Sequence, residues 1–419
     1  MSQFKKYVTL SILEVLAISI YVVADTFFIA RAMGQNGLTA LNIAIVSFTV
    51  VHSLGLMVGI GGGAYFAMTK RHQALTQACY IGAGLSLVFM VLGAFFTPAI
   101  ATALEADATI APMVISYTRT ILIFSPLLIF KNILLAFARN NGKPKKAMTA
   151  TSLGAGVNIF LDYIFLFPLS LGMFGAALAT VLGLATSIVY LVYANPMAIK
   201  ITRPNLGIIK KTLALGASTA VGELTVAIAL IIFNLVILNV AGNVGVAAYG
   251  IVMNLAIVVL SIFAGVAFGM QPLISQGYGS GDQGQVYSTL KYGLVLVLAL
   301  GLGIYAMAFI AAPYLVMAFN SQGDATLQSL ATTGIRIYFV GLIFAGVNMV
   351  AASYLSAANQ PKKGFAIAIL RSLVLIVPML LLLSHYFAMA GVWTAFAVTE
   401  LSVMILSAGV MFCTRPRFK

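Results

Sequence analysis

Residues 212–281 read TLALGASTAVGELTVAIALIIFNLVILNVAGNVGVAAYGIVMNLAIVVLSIFAGVAFGMQPLISQGYGSG, with Glu223 as their single charged side chain. A membrane-spanning helix needs about 20 mostly apolar residues, so a stretch of this length must cross a bilayer at least twice. The stretch lacks the polar–apolar alternation of membrane β-barrel strands. It therefore predicts an all-α membrane protein.

The composition of the whole chain agrees with this. Of its 419 residues, 62% are hydrophobic and 8% are charged. Soluble domains have about 45–50% apolar and about 25% charged residues, so a soluble globular protein is excluded. A disordered chain would need the opposite balance.

Loop signals divide the chain into twelve predicted spans. Their approximate limits are 8–32, 38–68, 77–103, 112–138, 147–168, 172–195, 212–241, 245–275, 287–313, 327–357, 363–385 and 390–413. Of the 23 Lys and Arg residues, 18 fall on one side, whereas the opposite loops hold Glu105, Asp107 and Asp324. This positive-inside pattern predicts cytoplasmic N- and C-termini. It also accounts for most of the net charge of +14 without nucleic acid.

The two halves of the chain resemble each other. Gly34-Gln-Asn-Gly37 is echoed 208 residues later by Gly242-Asn-Val-Gly245, and Pro144-Lys-Lys146 is echoed 217 residues later by Pro361-Lys-Lys363. We therefore predict six helices in residues 1–195, a cytoplasmic linker at 196–211 and six helices in 212–419. Two such bundles around a central cavity are typical of alternating-access transporters.

Five of the nine acidic residues fall inside predicted spans: Glu14, Asp25, Asp162, Glu223 and Glu400. Each costs roughly 2.5–3.5 kcal/mol or more at mid-membrane, which makes it a functional candidate. Asp25 and Asp162 lie at similar depth, about 10–15 Å below the outer boundary. The i, i+4 pairs Asn158–Asp162 and Ala176–Thr180 lie at the same depth.

These residues predict a cation site. Two carboxylates, an amide oxygen and a hydroxyl are hard oxygen ligands suited to Na⁺. They equally suit a proton, because two close buried carboxylates titrate as a pair. The coupling ion is thus H⁺ or Na⁺, and no other cofactor is expected.

The second half lacks this set of ligands, since the repeat places Phe233 opposite Asp25. Arg371 and Glu400 lie at similar depth on adjacent spans and predict a structural ion pair. Glu14 lies closer to the inner face, where two alternatives are open: its side chain extends to the interface, or it pairs with Lys131. The candidates for a substrate cavity are Glu223, Tyr21, Met57, Met253 and Met270, since methionine suits adaptable apolar cavities.

Several motifs resemble those of the multidrug and toxic compound extrusion (MATE) transporters. They are Ala24-Asp-Thr-Phe-Phe-Ile29, Gly59-Ile-Gly-Gly-Gly63, the loop Ala138–Met148, Asn158-Ile-Phe-Leu-Asp162 and Gly172–Thr180. The resemblance covers essentially the whole chain. It implies a V-shaped pair of six-helix lobes, with a cation site at Asp25, Asn158, Asp162, the Ala176 backbone and Thr180. One departure is that no proline occurs between Lys6 and Asp25, where the family often has one.

We therefore predict a transporter and not an enzyme: a cation-coupled antiporter that exports amphipathic, often cationic, compounds. The alternatives are a lipid-linked or polysaccharide flippase of the same superfamily, a membrane-embedded enzyme and a passive channel. The expected partners are small-molecule substrates and the lipid bilayer, without nucleic acid. A monomer in the inner membrane is expected.

Overall fold

The structure is a computed structural model that describes residues 2–71, 73–104, 106–194, 202–320 and 324–413. Nearly all of them are helical, and no β-strand occurs in these ranges. The helices are α1 (Ser2–Thr69), α2 (Gln73–Phe95), α3 (Thr97–Ala103), α4 (Ala111–Ile123), α5 (Ser125–Asn140), α6 (Pro144–Leu166), α7 (Gly172–Ala194), α8 (Leu206–Ser280), α9 (Gln283–Phe319), α10 (Ala325–Ala357), α11 (Pro361–Ile369) and α12 (Ile376–Cys413). A π-helical turn, Leu370–Val374, joins α11 to α12.

Some of the residues on which the topology prediction rests are not among those that the structure describes. Glu105, Lys200, Arg415, Arg417 and Lys419 lie outside the described residues, as do residues 196–201 of the predicted linker. The predicted cytoplasmic location of both termini stays a prediction.

The described helices include nine that are long and apolar enough to cross a membrane, or ten if a bent pair counts as one span. The all-α, multi-pass prediction is confirmed, but the count of twelve separate spans is not reached. One reason is that the last two predicted spans fall within a single apolar stretch, Pro361–Met411. Another is that Ile232–Gly242, in the seventh predicted span, is too short to count.

The bent pair is α4 and α5, which the sequence predicts as one span at 112–138. The two helices meet at Phe124 with a bend of 51°. Pro126 follows the break, and its nitrogen cannot donate the hydrogen bond that would continue α4.

The chain divides into two units, Met1–Ala220 and Val221–Lys419. The second begins inside α8, a helix of 75 residues. The predicted lobe boundaries at 195 and 212 stay predictions.

The repeat is visible in the backbone. Gly34 in α1 and Gly242 in α8 break their helices with nearly the same conformation, φ 64° and 61°. Glycine adopts positive φ without a steric penalty, so these breaks depend on it. The repeat also pairs other positive-φ positions: Gly142 with Asn359, 217 residues apart, and Gly172 with Ala388, 216 residues apart.

Proline and aspartate residues favour the positions at which four of the helices begin. Pro144 and Pro361 open α6 and α11, where the missing N–H costs nothing. Asp282 caps α9 by accepting from the Gln285 amide at 2.9 Å, and Asp324 caps α10 in the same way.

Candidate cation-binding site

Small residues bring α6 and α7 close together in the first unit. A side-chain Cβ on Gly183 would lie 2.6 Å from the Gly154 carbonyl oxygen, so the two backbones are in direct contact. Ser187 donates to the Ala150 carbonyl at 2.9 Å one turn further on. This approach lets Asn158 on α6 donate to the Thr180 hydroxyl on α7 at 3.4 Å.

The two carboxylates of the predicted site are Asp25 on α1 and Asp162 on α6. Asp25 is 5% exposed and Asp162 is fully buried. Helix α1, which carries Asp25, packs against α6, which carries Asp162. Asp25 lies nine residues before the break at Gly34, and Thr180 lies eight residues after the start of α7. Thr180 and Asp25 are therefore about 12–14 Å along their helices from those ends.

Four buried oxygens of this group make no hydrogen bond among the described residues. They are Oδ1 of Asp25, Oδ1 of Asn158 and both carboxylate oxygens of Asp162. Buried polar atoms are almost always hydrogen-bonded, and exceptions need an explanation. A cluster of unsatisfied acceptors is suited to take up a proton or a dehydrated cation.

A narrow cavity of about 20 Å³ adjoins the pair Asn158–Thr180. Tyr21 and Lys131 also line it. The space is about what one water molecule needs. Lys131 is 4% exposed, so a buried amine shares this cavity with Asn158 and Thr180.

Ala176 lies in the apolar core that surrounds the site. It packs in one cluster with Ile29 of α1 and Tyr117 of α4, and its side chain is fully buried. Helix α1 runs from Ser2 to Gly34 without a break in its backbone conformation. This agrees with the absence of proline from that part of the sequence.

The other predicted cavity residues are dispersed. Tyr21 and Met57 are half-buried in the first unit, and Glu223 is half-buried in the second. Met253 and Met270 are buried in the second unit. A Cβ on Gly293 would lie 2.1 Å from the Met270 sulfur, so this methionine fills the gap beside that glycine. The role of all five residues in a substrate cavity stays a prediction.

In the second unit, aromatic rings occupy the repeat counterpart of the site. Phe233 stands where the repeat places Asp25, and its ring stacks on Tyr249 at 5.2 Å. Tyr249 stacks in turn against Trp393, with ring centroids 6.1 Å apart. The polar group thus occurs in the first unit and not at this place in the second.

Arg371 and Glu400 form an ion pair in the second unit, with Nη2 and Oε1 2.6 Å apart. Asn348 donates to the other carboxylate oxygen at 2.7 Å, and Ser407 donates to Asn348 at 3.1 Å. Because every member of this chain of hydrogen bonds has a partner, the pair can be buried without large cost.

Replacing Glu400 with glutamine should lower stability by about 3 kcal/mol, because it leaves the Arg371 charge uncompensated. The measurement is the thermal unfolding midpoint of the purified protein in detergent. A double variant, Arg371→Met with Glu400→Met, should recover much of the loss. An unfolding midpoint of Glu400→Gln equal to that of the unchanged protein would show that the pair contributes nothing.

The partner of Glu14 differs from the expectation. Its carboxylate binds Arg139 at 3.0 Å, and both side chains are 4% exposed. Lys131, the expected partner, lines the cavity instead. The position of a residue in the sequence gives its depth along the helix. It does not give the neighbouring helix that its side chain faces.

Comparison with known proteins identifies the family. The model of the MatE family matches residues 11–164 and 218–382, which is more than half of the chain. The chain belongs to the MatE family. Proteins of this family are transporters, so the chain is a multi-pass membrane transporter and not an enzyme.

Curated MatE relatives match over nearly the full length. The multidrug export protein MepA of Staphylococcus haemolyticus (strain JCSC1435) is 25% identical over 412 residues, covering 95% of this chain and 90% of that protein. MepA of Staphylococcus aureus (strain MRSA252) is 23% identical with the same coverage. Because these relatives are multidrug export proteins, the comparison supports a multidrug efflux transporter and does not favour the flippase alternative.

Solved MatE structures share the fold. A MATE protein in its straight conformation has a TM-score of 0.89 and 22% identity, covering 98% of this chain and 95% of its own. A transporter of the MOP superfamily from Pyrococcus furiosus, described as having a binding pocket of reversed polarity, has a TM-score of 0.87 and 21% identity with the same coverage.

Proposed function

We propose that this MatE transporter is a cation-coupled antiporter that exports amphipathic, often cationic, compounds by alternating access. One observation carries the coupling: four unsatisfied buried oxygens of Asp25, Asn158 and Asp162 lie in the first unit. The relatives that export multiple drugs support the substrate class.

The charge of the site gives a reason for coupling. Two ionised carboxylates buried in one helix bundle repel each other and are poorly solvated. A proton or Na⁺ removes that penalty, and its departure restores it. The loaded and empty sites therefore favour different surroundings, and a change of conformation can be tied to the presence of the cation.

The membrane supplies the driving force. Inward movement of one positive charge gains about 2.3 kcal/mol per 100 mV of membrane potential. Any concentration gradient of the cation adds to this. Such a gain can drive a monovalent cation outward against its own gradient when the stoichiometry permits.

The oxygen ligands of the proposed site suit two coupling ions, Na⁺ and H⁺, and the experiment distinguishes between them. Na⁺ prefers several oxygen ligands, which the carboxylates, the Asn158 amide, the Ala176 carbonyl and the Thr180 hydroxyl supply. A proton needs only one of the unsatisfied carboxylate oxygens. We further propose a monomer in the inner membrane, with cytoplasmic termini and two six-helix lobes.

The experiment is ethidium efflux from energised membrane vesicles under separate gradients. Collapsing ΔpH alone should stop efflux if H⁺ is the coupling ion, and collapsing the Na⁺ gradient alone should stop it if Na⁺ is. Vesicles without the protein set the background. Efflux that persists when both gradients and the membrane potential are removed would contradict an antiporter and support a passive channel.

A further inference from the structure

Arg119 is an exposed arginine in the middle of an apolar helix. It lies eight residues after Ala111, the first residue of α4, and therefore about 12 Å along that helix. More than a third of its surface is exposed. Among the described residues, it takes part in no ion pair. An unpaired cation within a membrane-spanning helix is costly and marks a functional position.

A groove of about 600 Å³ surrounds this arginine. Its walls are mostly apolar and come from α4, from α7 and from the break between α4 and α5, with Ile115 and Ile123 on α4, Phe174 on α7 and Phe124 at the break. Phe124 and Phe174 are both more than 40% exposed. The bend of 51° at Phe124 ends α4 beside the arginine, so the groove is a product of that break.

One donor of the Arg119 guanidinium is engaged by a neighbouring helix. Its Nε donates to the Thr97 hydroxyl at 3.2 Å, and Thr97 is itself fully buried at the start of α3. This is the one hydrogen bond that Arg119 makes among the described residues. Its two terminal nitrogens have no partner within the described part of the chain, and a guanidinium can bind a phosphate through two parallel hydrogen bonds.

The second unit repeats this feature independently. Arg336 lies 217 residues after Arg119, the offset that separates Pro144 from Pro361. It too is exposed on an apolar helix, α10, and its guanidinium lies 5.0 Å from the centre of the Phe309 ring. Both units thus retain a cation at one repeat position, whereas the carboxylates of the first unit are not repeated.

We propose that the groove around Arg119 is a phospholipid site. The phosphate binds the terminal nitrogens of Arg119, and an acyl chain lies against Ile123, Phe124 and Phe174. Charge complementarity selects this occupant, because the anions available at a lipid-facing surface within a membrane are lipid phosphates. A long cationic side chain can also extend towards the headgroups to meet one. The site is separate from the proposed cation coupling.

The test is native mass spectrometry of the purified full-length protein, titrated with phosphatidylglycerol. Arg119→Gln should weaken the tightest binding of this lipid about five- to tenfold, as expected for loss of one charged contact. Arg119→Lys should restore most of the affinity because it keeps the charge. Phe174→Ala should weaken binding without any change of charge, which tests the apolar wall by itself.

Arg31→Gln is the matched control. Arg31 is an exposed arginine of the same unit that does not line the groove, so its replacement should leave the affinity unchanged. Equal binding by Arg119→Gln and the unchanged protein would overturn the proposal, as would equal weakening by Arg31→Gln. Two further probes address the phosphate. Equally tight binding of a diacylglycerol with the same acyl chains would overturn its role, and displacement of the lipid by inorganic phosphate would identify a free-anion site instead.

Discussion

Replacing Asp25 with asparagine is expected to reduce ethidium efflux from energised vesicles to the level of vesicles without the protein. Asparagine has nearly the same shape but cannot bind or release a proton, and it is a weaker ligand for Na⁺. The pair with Asp162 would lose one of the two charges whose repulsion makes the empty site unstable. Ethidium efflux from the vesicles and the amount of protein in their membrane are measured together.

Asp282→Asn provides the control for this change. Asp282 is an exposed N-cap of α9, and asparagine caps a helix about as well as aspartate. This variant should export ethidium normally although it makes the same chemical substitution. Normal export by Asp25→Asn, at normal abundance, would refute the assignment of the coupling site.

Replacing Gly61 with alanine is expected to lower the stability of the first unit strongly. A Cβ at Gly61 would lie 1.9 Å from the Thr212 carbonyl oxygen, far inside van der Waals contact with backbone. The contact is reciprocal, because a Cβ at Gly216 would lie 1.9 Å from the Met57 carbonyl oxygen. The segments of α1 and α8 would have to separate, and overpacking of this kind costs about 1–3 kcal/mol or more.

Gly84→Ala is the matched control, made in the same unit with the same added methyl group. Nothing lies within 4 Å of a Cβ at Gly84, which is exposed on α2. Alanine there should keep or slightly raise the unfolding midpoint, because glycine is a poor helix former. If both variants unfold at the same temperature in detergent, the close approach of α1 and α8 does not limit stability.

Sequence reasoning predicted the fold class, which is confirmed, and a candidate cation site, because both predictions depend on position along the helix axis. The charge-poor stretch around Glu223 requires membrane helices whatever their arrangement. Asp25 and Asp162 could be placed at one depth from the rise per residue alone. The glycines 59–63 could be interpreted as close packing, and the contact of Gly61 with Thr212 shows where it occurs.

Features that depend on rotation or bending about the axis could not be predicted. Glu14 and Lys131 lie at compatible depths, yet α5 presents Arg139 to the carboxylate. The break at Phe124 is another case, since Pro126 is tolerated early in a helix as well as at a kink. The groove beside Arg119 exists because of that break, so no spacing rule would have found it.

The paired positive-φ positions show what duplication preserved. Gly142 corresponds to Asn359 and Gly172 to Ala388, and φ is positive at all four positions. By contrast, the carboxylate of Asp25 in the first copy corresponds to the stacked ring of Phe233 in the second. The path of the chain was inherited by both copies, while the ionisable chemistry was specialised in one. After the duplication, therefore, side chains inside the bundles diverged while the backbone turns were kept.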